Sequence, residues 1–248
     1  MDAVISDIHG NLEALDAVLN AIRQLGATRI ICLGDLVCYG PDSIECVRRS
    51  ADWDIVLAGD WDVAMVDHDP TTWSPAINEH IKWVRGQFLA AADSATLLEI
   101  LGSFGRSFVE NGRHFTHGTP DDVREWIFPE DVYDSKKLNR IAKHFDDVCV
   151  CGHSHIQGIF KQNDQLNWGF IQPQAGERYE LKADRKTIVT VGSVGQPRDE
   201  DPRASFLTID GDYVTFHRIQ YNVMATLDKI HSIPEIDDMH GERLLVGR

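Results

Sequence analysis

Basic residues are scarce in this chain: 24 Lys and Arg stand against 39 Asp and Glu, a formal net charge of −15 over 248 residues. That field repels a phosphate backbone, so nucleic-acid binding is not expected, and a nuclease would need a local basic approach to its site. No apolar run approaches the length that crosses a bilayer, and Met1 leads almost at once into Ala3-Val4-Ile5, which leaves no space for a secretory signal. A cytoplasmic protein with no membrane partner is expected. The cysteines Cys32, Cys38, Cys46, Cys149 and Cys151 are an odd number without a C-x-x-C pair. Reduced, packed thiols are therefore expected, rather than disulfides or a soft-metal site. There is also no repeat of fixed period and no low-complexity tract.

A hydrophobic content of 43% in a chain of this length supports a substantial core, and one domain over residues 1–248 is the simplest organisation. The first hundred residues alternate β-like runs ("AVIS", "TRIICLG", "WDIVLAG") with helical patterns ("NLEALDAVLNAIRQLG", "PDSIECVRRSA"). Leu12, Leu15, Val18, Leu19 and Ile22 recur at helical spacing, with Asn11 placed to cap that helix and Gly26 to stop it. Strand, crossover helix and strand, repeated, imply a parallel sheet whose ligands gather at the carboxyl ends of its strands. Residues 67–102 break the rhythm with two helical patterns and read as a helical insertion beside the sheet. Further on, Asn111-Gly112 marks a hairpin, and the last hundred residues are mostly β, which suggests a second sheet packed on the first.

Several apolar runs end in metal-ligand chemistry. "ISDIHGN" gives Asp7 and His9, "CLGDLV" gives Asp35, "LAGDWD" gives Asp60, "HFTHG" gives His117, and "VCGHSH" gives His153 and His155. In extended backbone, residues two apart point the same way, so Asp7 with His9 and His153 with His155 can act as pincers. Glycine before Asp35, Asp60 and His153 lets the chain turn sharply there. Each residue alone has an ordinary explanation as a cap, a turn acid or a loop imidazole. Jointly, seven ligand-type side chains at successive strand ends are improbable as caps and turns. Mixed carboxylate and imidazole donors suit manganese first, then iron or zinc, better than calcium or magnesium. Seven ligands exceed one tetrahedral shell, so two divalent ions are expected, with Asp35 as the natural bridge. Two ions about 3.5–4 Å apart are the usual means of in-line displacement at phosphorus, by a bridging hydroxide.

The set Asp7-x-His9, Gly34-Asp35, Gly59-Asp60-x-Asp62, His117 and Gly152-His153-x-His155 resembles the calcineurin-like metallophosphoesterase superfamily, whose pattern is D-x-H, G-D, G-N-H-[D/E], a lone H and G-H-x-H. The stretches "TVGSVGQPRDEDPRASF", "GDLVCYGPD" and "HGTPDD" resemble its branch of small bacterial and archaeal phosphodiesterases and phosphatases. This resemblance implies an α/β fold, a four-layer α/β/β/α sandwich of two packed mixed sheets. It implies two metals and attack by a metal-bound hydroxide on a small phosphomonoester or phosphodiester without a covalent enzyme intermediate. It further implies that Asp7, His9, Asp35 and His155 hold one metal, that Asp35, Asp60, His117 and His153 hold the other, and that the chain could be a homo-oligomer.

Three departures from the family pattern matter. The family usually has asparagine at Asp60 and often, at Trp61, a histidine that assists the leaving group. A carboxylate adds about one negative charge, which favours cations and weakens attraction for phosphate. Tryptophan cannot protonate a leaving group, a contribution of about 10²–10⁴-fold in general-acid catalysis, so good leaving groups are favoured. The phosphoprotein phosphatases show G-D-x-V-D-R-G where this chain has Cys38-Tyr39, so their phosphate-clamping arginine is missing. Asp62 is expected behind the ligands, holding the loop or a ligand histidine. Asn11 either orients a phosphate or a group behind the ligands, or is only a helix cap. Arg198 either supplies positive charge or makes a structural ion pair with its acidic neighbours or a subunit contact, and His68 is the candidate replacement acid. The alternative to an enzyme is a catalytically weakened metal-binding interaction module.

Overall fold

The computed structural model describes residues 1–67, 73–181 and 185–248. In chain order the main elements are β1 (Asp2–Ile5), α1 (Leu12–Leu25), β2 (Arg29–Cys32), α2 (Ser43–Ser50), β3 (Ile55–Val56), α3 (Asp60–Asp67), α4 (Pro75–Ala90), α5 (Ser94–Ser103), β4 (Ser107–Glu110) and β5 (Arg113–Thr116). There follow α6 (Ser135–Ile141), β6 (Val148–Cys151), β7 (Gln157–Gln162), β8 (Trp168–Ile171), β9 (Arg178–Glu180), β10 (Thr187–Val191), β11 (Ala204–Asp210), β12 (Tyr213–Ile219) and α7 (Val223–His231). They build two mixed six-stranded sheets, ordered β3-β2-β1-β11-β12-β9 and β4-β5-β6-β10-β7-β8.

Side-chain alternation explains the stacking. On β1, Val4 faces the second sheet while Ala3 and Ile5 face the helices; on β6, Val148 and Val150 face the first sheet while Cys149 and Cys151 face away. Strands covered on both faces are buried at every position, as β6 and β10 are, so their burial pattern has no exposed side. One core therefore lies between the sheets. A second joins the first sheet to α1, α2, α4 and α5, and a third joins the second sheet to α6. This is the α/β/β/α sandwich. Each fully buried Val, Leu, Ile or Phe contributes about 1.5–3 kcal/mol, so neither sheet could keep its inner face without the other.

Local signals hold in detail. The side chain of Asn11 accepts from the Ala14 N–H at 3.1 Å, and Gly26 ends α1 in the left-handed region at φ 74°. Asn111 and Gly112 make the β4–β5 turn with φ 52° and 74°. All five cysteines are free and buried. Two boundaries differ from expectation: the third strand shrinks to Ile55–Val56, and helix begins at Asp60 itself, ahead of the expected insertion. In that insertion, Ile81, Val84, Phe88, Leu97 and Leu101 are buried, and α4 and α5 pack against α2 and α3, so they form part of the outer layer. Residues 68–72, including His68, lie outside the described residues. Among the described residues no helix is long and apolar enough to cross a membrane.

Candidate metal centre

Strands β1, β2 and β3 run parallel in register, with Ile5 beside Cys32 and Cys32 beside Val56, so the chain leaves all three on one edge. Asp7, Asp35 and Asp60 follow those ends. In the second sheet Thr116 lies beside Cys151, and His117 and His153 follow those ends. The first sheet thus supplies the carboxylates and His9, and the second supplies the other imidazoles. All seven are buried: Asp60 and His153 are 5% exposed, the other five 0–2%.

The pincer geometry has a different cause from the extended backbone expected. Asp7, His9, Asp35, His153 and His155 all lie beyond their strands with φ between 48° and 64°. Left-handed backbone costs a non-glycine residue about 1–3 kcal/mol and persists only where the surroundings over-determine it. Here the turns lace together: the Asp7 N–H donates to Gly34 O at 2.9 Å, Ile8 to Asp35 O at 2.8 Å and Gly10 to Leu36 O at 2.9 Å. The glycines also act differently than expected. Gly34 does turn, at φ 108°, but Gly59 and Gly152 serve close approach. A Cβ on Gly59 would lie 2.0 Å from Asp35 Oδ1, and one on Gly152 would lie 2.6 Å from Asp7 Oδ2.

Every ring is oriented by the main chain. His9 Nδ1 lies 3.1 Å from Val37 O, His117 Nδ1 3.0 Å from Leu33 O, His155 Nδ1 2.6 Å from Gln196 O, and His153 Nε2 3.0 Å from Arg124 O. A carbonyl only accepts, so those nitrogens carry the hydrogen; in the neutral ring the opposite nitrogen turns a lone pair inward. The inward nitrogens approach in pairs, His9 Nε2 to His155 Nε2 at 3.1 Å and His117 Nε2 to His153 Nδ1 at 3.1 Å. The carboxylates divide their work similarly. Asp7 Oδ2 accepts from the His153 N–H at 3.0 Å and Asp35 Oδ1 from the Trp61 N–H at 2.9 Å. Asp7 Oδ1, Asp35 Oδ2 and Asp60 Oδ1 are buried with no hydrogen-bond partner.

Three unpartnered oxygens and four inward nitrogens therefore converge. Buried acceptors facing one another repel unless a cation stands between them. Two groups fit one: Asp7, Asp35, His117 and His153, and Asp7, His9 and His155, each with ligand atoms within 4.8 Å of one another. Asp60 Oδ1 is 3.6 Å from both His117 Nε2 and His153 Nδ1. The field also draws protons. Burial opposes the His117 imidazolium, but Asp35, Asp60 and Asp7 outweigh it and hold that ring well above its ordinary pKa. Burial lifts Asp35 well above the carboxylate range. Burial and a neighbouring positive group push His9, His155 and His153 down, the last to about 4.

Supporting residues surround the cluster. Asp62 accepts from the backbone N–H groups of Asp35 at 2.7 Å, Leu36 at 3.0 Å and Gly59 at 3.0 Å, so it ties the Asp35 turn to the Asp60 turn. The stretch 193–198 braces the other side: Ser193 Oγ donates to Asp7 O at 2.7 Å and the Arg198 N–H donates to His155 O at 3.1 Å. The acids beside Arg198 are engaged elsewhere, Asp199 with Arg218, Asp201 with Arg203 and Glu200 with Arg248. Arg198 makes no ion pair among the described residues; its guanidinium donates to Gln196 Oε1 at 2.6 Å, and its charge is felt at His9 and His155.

Asn11 is corrected. Its oxygen accepts from Ala14 N–H and Thr226 Oγ, and its amide hydrogens go to Gly195 O at 2.8 Å and Tyr221 Oη at 3.2 Å. No donor remains to orient a phosphate, so it is a helix cap and brace. Trp61 is 4% exposed and packs against Tyr39 and Trp73 with ring centroids 4.7 and 5.2 Å away. Sequence reading passed over Arg124 and Trp126. The former holds His153 through its backbone carbonyl, which has no side-chain signature, and the latter stacks on His153 at 5.2 Å.

Known proteins resemble the chain in sequence and in fold. A protein of Methanocaldococcus jannaschii, described as uncharacterized, is 33% identical over 260 residues, spanning 100% of this chain and 98% of its own. A crystal structure of a metallophosphoesterase from Sphaerobacter thermophilus superposes with a TM-score of 0.84 at 29% identity, covering 100% of this chain and 99% of that one. A hypothetical protein from Pyrococcus horikoshii shares the fold, with a TM-score of 0.75 at 17% identity over 100% of this chain and 99% of its own. The family model for the calcineurin-like phosphoesterase superfamily domain matches residues 2–212, and the chain belongs to that metal-dependent family.

Proposed function

We propose that the chain hydrolyses a small phosphomonoester or phosphodiester, using two divalent transition metals held by Asp7, His9, Asp35, Asp60, His117, His153 and His155. The observation that carries this reading is the convergence of three unpartnered buried carboxylate oxygens on inward-facing ring nitrogens. Asp7, His9, Asp35 and His155 take one ion, and Asp35, Asp60, His117 and His153 the other. Asp35 Oδ2 suits the bridging role, at 3.6 Å from His9 Nε2 and 3.3 Å from His117 Nε2. The mixed oxygen and nitrogen donors favour manganese, with iron or zinc as alternatives. When bound, such ions lower the pKa of a water and offset the charge on phosphoryl oxygens.

The chain's own residues fix the rest. Main-chain carbonyls hold the four rings, Asp62 holds the two turns, and Arg198 lends positive charge beside His9 and His155. Buried Trp61 gives no proton to a leaving group, so esters with acidic leaving groups are the better substrates. The same Asp60-Trp61 pair supports the second reading, a metal-binding interaction module. To decide, manganese-reconstituted protein is assayed on p-nitrophenyl phosphate and on its bis ester beside His153→Ala. Turnover that this substitution abolishes supports hydrolysis. Rates no higher than the variant's on both esters, with a metal-dependent melting temperature, support the module.

A further inference from the structure

We infer that Trp126, with Arg124, forms a substrate-recognition subsite at the mouth of the centre, selecting phosphoesters whose leaving group is planar and aromatic. The inference rests on the phosphoesterase reading for its ligand class. The residual exposure of the seven residues is concentrated at Asp60 and His153, so solvent and substrate reach the cluster from their side. Trp126 borders that side. One face of its indole lies nearly parallel to the His153 ring, at 5.2 Å and 17°, yet the residue is 47% exposed. A large exposed aromatic lying against a buried ligand ring offers a shelf to whatever carries the phosphate.

Charge completes the shelf. The Arg124 guanidinium lies 4.4 Å over the Trp73 ring, and Trp73 in turn stacks on Trp61, the neighbour of Asp60. Arg124 makes no ion pair among the described residues, whereas the adjacent Glu125 is neutralised by Arg140 at 2.6 Å. The Arg124 cation, joined to Trp61 through the Trp73 ring, adds positive charge that offsets the extra carboxylate at Asp60 and restores attraction for phosphate oxygens. The stretch is held in place: Arg140 also reaches Asp121 at 2.7 Å, and Ile127 is buried. Such a rigid shelf binds without an ordering cost. A cavity of about 750 Å³ beyond Tyr39 and Trp61 is lined by none of the seven residues.

Calorimetry on manganese-loaded protein with phenylphosphonate and methylphosphonate tests this without turnover. Stacking of its ring on the indole should make phenylphosphonate bind about tenfold more tightly. Trp126→Ala should erase that preference, bringing the two phosphonates to equal affinity; Trp126→Phe should keep most of it; Arg124→Gln should weaken both ligands alike. Equal binding of the two phosphonates by the wild type, no binding of either, or a preference that survives Trp126→Ala overturns the inference. A preference that depends on Trp126, in a protein that turns over no ester, would instead sink the hydrolytic reading and leave the subsite standing.

Discussion

At the scale of single residues the unusual choice is Asp60. Its Oδ1 faces His117 and His153 at 3.6 Å, where a family asparagine would present a neutral oxygen. The inward rings hold Asp60 down to about 2 despite its burial, so it is ionised at any ordinary pH. Asp60→Asn is expected to weaken manganese binding and to tighten inorganic phosphate, or raise turnover at saturating metal. Titration calorimetry with each ligand checks it, and unchanged metal affinity would remove Asp60 from the ligand set. The seven residues were legible in the sequence because carboxylate and imidazole recur just past apolar runs. Asn11 was ambiguous there because a capping amide and a phosphate-orienting amide look alike until their partners are counted. The main-chain carbonyls of Val37, Leu33, Gln196 and Arg124, which set the rings, leave no mark in the sequence.

At the scale of elements, the work is done by turns after strands rather than by the strands. Five left-handed non-glycine residues are held in turns that brace one another, with glycine where no Cβ fits. Gly59→Ala places a methyl carbon against Asp35 Oδ1, at 2.0 Å before relaxation, and so displaces a ligand without touching its chemistry. Losing a residue that orients a metal ligand typically costs about 10–100-fold in metal affinity or activity, and a loss of that order is expected. Metal affinity equal to the wild type's would mean that the turn yields more easily than its packing implies. Strand and hairpin positions followed from apolar runs and from Asn111-Gly112. The start of α3 did not, because Asp60-Trp61-Asp62 carries two acids suited equally to a turn and to a first helical turn.

At the scale of the whole molecule, a strongly acidic chain folds its two sheets so that their parallel ends share one buried electronegative centre. That centre competes for protons as well as metals. Asp35 and His117, both shifted upward, must release protons when a cation takes their lone pairs, so metal affinity should rise with pH and fall in acid. Calorimetric titration of manganese in buffers of different ionisation heats counts those protons, and a heat independent of buffer would contradict the shifts. Metal at about 100 times its Kd should also add about 2.7 kcal/mol of stability, seen as a melting temperature that drops with chelator. Two stacked sheets were readable from the order of runs. Which strands lie side by side across β1–β11 and β6–β10 was not, because antiparallel and parallel neighbours bury the same alternation.

The central claim is that seven converging acceptors hold two divalent cations. Anomalous diffraction at the manganese edge, from crystals grown with the metal, tests it most directly. The account predicts two peaks, one among Asp7, His9, Asp35 and His155 and the other among Asp35, Asp60, His117 and His153. A single peak, or none within the seven, would contradict it.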